Sequence, residues 1–302
     1  MKKTVRLLSI MAVIVAGCTT ACGQNAIKNT ANDSGKVKVM TSFYTMYDFA
    51  QKIGGEKVEI TNMVPSGTEP HDWEPSAIDI RNMEDADVFI YNGAGMEHWA
   101  EDILKSLDNS ELITVEASEG VELIREGKEN DPHVWLDPEN AKIEMEHIKD
   151  AFIEADKDNA EYYNKNYEIY SKQLDGLNQE FEETLSQVTN KDIIVAHKAF
   201  GYLCKAYGLN QIAIEGLMPD SEPDPARMEE IIQLAKKKEI NTIFFEELVS
   251  PKVANTIAKE IGAKTEVLNP LEGLSEEQMD AGEDYFSVMR TNLKQIKKAL
   301  EN

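Results

Sequence analysis

The chain has 302 residues, with 31 basic and 55 acidic side chains and a formal net charge of −24. That balance argues against a nucleic-acid partner, whose phosphates need a cationic footprint, and is compatible with a cationic ligand. Once a leader is set aside, the length suits two domains of ordinary size.

Lys2, Lys3 and Arg6 precede an apolar run from Leu7 to Ala16. The run is too short to span a bilayer as a helix, so residues 1–17 read as a signal peptide. The segment Val15-Ala16-Gly17-Cys18 resembles the lipobox of bacterial lipoproteins, which implies lipidation of Cys18 as the first residue of the mature chain. Cys22 follows Thr19-Thr20-Ala21 and fits that pattern less well. Residues 18–35 are rich in small and polar types and read as a flexible tether between lipid and globule. Within the globule only Cys204 remains, in an apparent helix, so no intradomain disulfide is available and the thiol reads as a small buried hydrophobe.

From there the pattern alternates. Val37 to Phe43, Val58 to Val64, Val88 to Tyr91 and Leu112 to Val115 read as strands, with helices around Met46 to Ile53, Ala77 to Met83 and Met96 to Leu107. After a long gap, strands recur at Ile193 to Ala196, Ile212 to Ile214, Thr242 to Phe245 and Thr265 to Leu268. Helices at Phe200 to Tyr207, Ala226 to Lys238 and Val253 to Ile261 separate them, and Gly208 and Gly262 fall where C-caps belong. Such alternation predicts two α/β lobes with parallel sheets, over 36–150 and 190–302.

Between the lobes, Tyr163, Tyr167, Tyr170, Leu174, Leu177, Phe181, Leu185 and Val188 recur at steps of three and four. This one-sided stripe predicts a linking helix within 151–189. Run from Asp156 to Val188, it would be roughly 50 Å long. A coiled-coil dimer seam would show the same spacing; a lobe at each end favours a helix packed on both.

Three of the five histidines, His71, His133 and His197, follow short apolar or Pro-bearing stretches. Pro70 and Pro132 stiffen the approach to the first two. His71 and His197 fall after strands of different lobes, where α/β sheets place their ligands, and His133 can reach the same cleft. Three imidazoles and one carboxylate suit Zn²⁺. Glu246, Glu247 and Glu272 all fall at strand ends of the second lobe, and spacing does not choose the carboxylate among them. Glu69, Asp72, Asp137 and Glu246 or Glu247 are candidates to orient the imidazoles. Trp73 and Trp135 are candidates to wall the site from water, and His98 and His147, placed on helices, read as bystanders.

The segments around these histidines resemble one family. Pro65-Ser66-Gly67-Thr68-Glu69-Pro70-His71-Asp72-Trp73-Glu74-Pro75 is similar to the first-ligand loop of the cluster A-I, or cluster 9, substrate-binding proteins of zinc and manganese ABC importers. Asp131-Pro132-His133-Val134-Trp135-Leu136-Asp137-Pro138 is similar to the second, and Ala196-His197-Lys198-Ala199-Phe200-Gly201-Tyr202-Leu203 to the third. Asn269-Pro270-Leu271-Glu272 occupies the place of the fourth, acidic ligand. The resemblance spans Lys36 to Asn302. It implies two α/β lobes joined by one long rigid helix, and the metal ligands His71, His133, His197 and Glu272.

The resemblance also implies capture of a metal outside the membrane by a lipid-anchored monomer and delivery to an ABC permease with its ATPase. A histidine at the third position implies zinc, since manganese binders of the family tend to carry a carboxylate there; Mn²⁺ or iron is the alternative. Many zinc members have a His-rich loop before the second ligand, whereas Gly120 to Asn130 holds no histidine. Two other functions compete. A His₃ zinc hydrolase would need an open fourth position, and no other catalytic motif is present. A surface adhesin, a label that members of the family have sometimes carried, finds no feature specific to it in the sequence.

Overall fold

The computed structural model describes residues 35–219 and 223–301. The signal peptide, Cys18, Cys22 and the tether up to Ser34 lie outside the described residues.

The first lobe alternates β1 (Val37–Thr41), α1 (Tyr44–Gly54), β2 (Val58–Asn62), α2 (Ala77–Glu84), β3 (Val88–Tyr91), α3 (Ala100–Ser106) and β4 (Ile113–Glu116). Its sheet is parallel throughout, in the order β2-β1-β3-β4. A short antiparallel hairpin, β5 (Arg125–Glu126) with β6 (Glu129–Asn130), stands where the His-rich loop would be. Two helices follow, α4 (Pro138–Ala155) and α5 (Ala160–Leu185). The second lobe runs β7 (Asp192–Val195), α6 (Gly201–Tyr207), β8 (Asn210–Ala213), α7 (Pro225–Lys237), β9 (Thr242–Phe245), α8 (Lys252–Ile261) and β10 (Lys264–Val267). This sheet is also parallel, ordered β10-β9-β7-β8, and α9 (Glu276–Asp280) and α10 (Tyr285–Leu300) complete the chain.

Central strands such as β3 (VFIY) and β9 (TIFF) are apolar on both faces because helices cover both sides of a parallel sheet. Helix starts are set by side chains: Asp137 caps α4 with Pro138 at its first position, and Asp224 caps α7 ahead of Pro225. Gly208 and Gly262 close α6 and α8 in the left-handed conformation, as their spacing predicts.

The linking helix differs from its expected extent. The stripe begins at Ala160 rather than Asp156, because Asp156 leaves helical geometry (φ −141°, ψ 77°) and a 3₁₀ turn over Lys157–Asn159 intervenes. At 26 residues α5 is about 39 Å long rather than roughly 50. Tyr163, Leu174, Leu177, Phe181 and Leu185 are buried along it. They join a continuous core with Phe49 and Phe152 on one side and Tyr207, Phe286 and Met289 on the other. The stripe therefore packs within the chain and is not a dimer seam. Among the described residues no helix is long and apolar enough to cross a membrane.

Candidate metal centre

Each sheet presents its carboxyl edge to the interval between the lobes. His71 lies in the loop that leaves β2, His133 just ahead of α4, His197 two residues past β7 and Glu272 in the loop after β10. In the second sheet β7 and β9 are neighbours across the point where strand order reverses, the usual ligand position in such folds. His197 follows one of these strands and Glu246 the other, and His197 Nδ1–H donates to Glu246 Oε1 at 2.7 Å.

The four residues implied as ligands meet. One ligand atom from each of His71, His133, His197 and Glu272 lies within 4.8 Å of the others, and all four side chains are buried. His71 Nε2 is 3.3 Å from both His133 Nε2 and Glu272 Oε1, and His133 Nε2 is 2.9 Å from Glu272 Oε1. With bonds near 2.0–2.1 Å, a tetrahedron of ligands around Zn²⁺ has edges of about 3.3 Å. Three donors thus stand close to one tetrahedral face. His197 completes the set with its Nε2 still 2.9 Å from the Leu217 carbonyl.

Carboxylates behind the imidazoles fix which nitrogen faces inward. Asp131 Oδ1 accepts from the His133 backbone N–H at 3.0 Å and from Nδ1–H at 2.7 Å, which leaves Nε2 for the centre. Gly201 lets Asp131 sit there, since a Cβ at 201 would collide with Asp131 Oδ2. Of the expected orienters, Glu69 accepts from the His71 backbone N–H and Glu246 holds His197. Asp137 caps α4, Asp72 is exposed, and Glu247 accepts from Asn269 and Gln278. Asp131 is absent from the sequence candidates although it stands two residues before His133; the Asp-Pro-His spacing is the available signal.

Without a cation the centre holds protons instead. Burial disfavours charge on His133, but its hydrogen bonds to Asp131 and Glu272 outweigh that and raise it to about 10. Burial likewise opposes charge on His197, and the nearby Glu246 and Glu272 carboxylates raise it nonetheless. Glu272 moves the other way: burial favours its neutral form, yet His71 and His197 hold it well below the ordinary carboxylate range. A proton and a divalent cation compete for the same lone pairs.

Trp135 is fully buried, 5.4 Å from the His133 ring, and donates through Nε1 to the Pro270 carbonyl at 2.7 Å. It walls the centre and straps the Glu272 loop. Trp73 packs edge-on against Trp99 instead, in the outer part of the first lobe. His147 pairs through Nδ1 with the Ala117 carbonyl and stays outside the centre. His98 lies not on a helix but on the turn ahead of α3.

Residues 39–299 match the family described as zinc-uptake complex component A, periplasmic. The chain belongs to this family. It is 41% identical over 306 residues to the high-affinity zinc uptake system protein ZnuA of Bacillus subtilis, covering 95% of this chain and 96% of that protein. It is 38% identical over 317 residues to the zinc-binding lipoprotein AdcA of Streptococcus pneumoniae, covering all of this chain but only 62% of AdcA. The crystal structure of the Zn(II)-bound ZnuA-like domain of that AdcA superposes with a TM-score of 0.81 at 42% identity, covering 89% of this chain and 100% of the domain. Family membership bears out the two parallel-sheet lobes and the reading of a substrate-binding component rather than an enzyme.

Proposed function

We propose that this chain captures Zn²⁺ outside the cytoplasmic membrane and hands it to an ABC permease driven by its ATPase. The observation that carries the reading is the buried convergence of His71, His133, His197 and Glu272, four donors from two lobes. The zinc-binding and zinc-uptake relatives support the choice of cargo. Three nitrogens and one oxygen favour Zn²⁺ over Mn²⁺, which prefers more oxygen ligands. Four protein ligands leave no coordination position for a reactive water, so the set suits carriage rather than hydrolysis. The chain acts as a monomer held to the membrane by lipid on Cys18; a Cys18→Ser chain that stayed with the membrane would overturn the anchor.

The test of the site is metal content with competition titration on the full chain and its Glu272→Ala variant. One zinc per chain, held at least about a hundredfold more weakly in the variant, is expected. Equal affinity without Glu272 would leave an open His₃ site and defeat the carrier geometry.

A further inference from the structure

Two cavities flank the buried quartet. One of about 220 Å³ touches Glu272 and is walled by Tyr44, Tyr47, Val64, Pro65 and Leu274; its described lining holds no imidazole and no second carboxylate. The other, about 390 Å³, opens on His71 and is bounded by Pro132, Asn130, Leu217 and Met218. His98 stands on its wall. The His98 side chain is 53% exposed, and its Nε2 lies 3.5 Å from Glu74 Oε1, itself 74% exposed. One wall of the cavity thus carries a solvent-facing imidazole, which Glu74 pairs from beside the cavity, and the buried imidazole of His71 lines it as well. Glu129 and Lys128 line the same cavity.

We propose that His98 and Glu74 form an outer, transient Zn²⁺ site from which the ion passes along this cavity to His71 and the quartet. The proposal rests on the quartet being the buried metal site. One nitrogen and one oxygen with water completing the shell bind weakly, which suits a way-station: the ion exchanges part of its hydration for protein ligands before it is fully stripped. The imidazole nitrogen makes His98 selective for borderline cations over Ca²⁺ and Mg²⁺, which prefer oxygen.

A way-station lowers the barrier in both directions and leaves the equilibrium untouched. Stopped-flow loading of the full chain with Zn²⁺, and stripping by a chelator, test this on His98→Gln, Glu74→Gln and the double variant. Each single variant is expected to load and to release about fivefold or more slowly, with the buried-site affinity unchanged and no further loss in the double. Unchanged rates overturn the proposal. So does slower loading with a matching loss of affinity, which would place His98 in the buried site's own support. A slowing that disappears at about 0.5 M salt would reduce the pair to long-range attraction and overturn the ligand role. A parallel His133→Ala titration separates the two readings: full-affinity zinc binding in that variant would defeat the quartet, not the outer pair.

Discussion

Asp131→Asn isolates one carboxylate whose effect on metal binding has two opposite parts. The amide oxygen introduced by the substitution would still accept from His133 Nδ1–H, which now lies 2.7 Å from Asp131 Oδ1, so the ring keeps its orientation. The negative charge is lost, and with it part of the imidazole's donor strength; such outer partners are worth about 10- to 100-fold in metal affinity. The same charge helps raise His133 to about 10 in the metal-free protein. At pH 7 that proton lowers apparent affinity on the order of a thousandfold, and the penalty is recovered at one decade per pH unit until pH approaches 10. In Asp131→Asn the ring titrates closer to its ordinary value, so most of this penalty vanishes. The variant should therefore bind zinc about 10- to 100-fold more tightly than wild type near pH 7, lose that advantage as pH rises, and be equal to about tenfold weaker at pH 9. Competition titrations at three pH values give the slope of log affinity against pH, expected to be shallower in the variant by up to about one decade per unit. Parallel lines would show that Asp131 does not set the His133 proton, and the reasoning would fail.

His197→Glu alone should bind poorly, because the new carboxylate faces Glu246 at the place where Nδ1–H now donates at 2.7 Å. Paired with Glu246→Gln it should shift the Mn²⁺:Zn²⁺ affinity ratio towards manganese by about tenfold or more in competition titration; an unchanged ratio refutes the ligand-type argument. Glu144 on α4 is fully buried with neither carboxylate oxygen hydrogen-bonded, and burial raises it well above the ordinary carboxylate range. Its folded-state value exceeds the unfolded one, so the neutral acid's contribution is intact below about pH 4.5 and lost as pH rises towards the folded value. Glu144→Gln should accordingly be more stable than wild type by about 2 kcal/mol at pH 8 in urea unfolding, and equal to it near pH 4; equal stability at both would count against a buried neutral acid.

The two lobes are legible because a parallel sheet covered on both faces leaves its mark strand by strand, and helices of 7 to 13 residues between such strands have few other folds open to them. The ligands are legible through the loops around them, where proline and glycine fix the backbone that aims each side chain. Spacing does not choose Glu272 over Glu246. Both follow strands, and only the order β10-β9-β7 turns Glu246 back onto His197 while the Leu271 turn, at φ +63°, brings Glu272 inward. Helix α4 is not read from the sequence at all, and the expected start of the linking helix at Asp156 falls four residues early, ahead of the 3₁₀ turn. The run Asp156-Lys157-Asp158-Asn159, polar throughout, is the turn signal. The C-terminal helix α10 is missing from the sequence expectations, although Phe286, Met289, Leu293, Ile296 and Leu300, spaced three and four apart, carry its signal.

Release of so enclosed an ion has to begin at the ligand whose displacement breaks least. The Glu272 loop is strapped to the first lobe: Thr45 Oγ1–H donates to the Leu271 carbonyl at 2.5 Å, Trp135 Nε1–H to Pro270 at 2.7 Å and the Gly67 N–H to Leu274 at 3.2 Å. Asn269 and Asn292 add a reciprocal pair, with Asn292 Oδ1 accepting from the Asn269 N–H and Asn292 Nδ2 donating to its carbonyl. At about 1 kcal/mol each, moving Glu272 with its loop forfeits several such bonds at once. His197 differs, because the Leu217 carbonyl already stands 2.9 Å from the nitrogen that a metal would take. Exchanging metal for that carbonyl costs one coordination bond and, as Nε2 takes up a proton from solvent, regains a hydrogen bond. Metal loading should therefore change amide hydrogen-exchange protection around Ile214–Met218 more than around Asn269–Leu274. The opposite ranking would place the first step of release at Glu272.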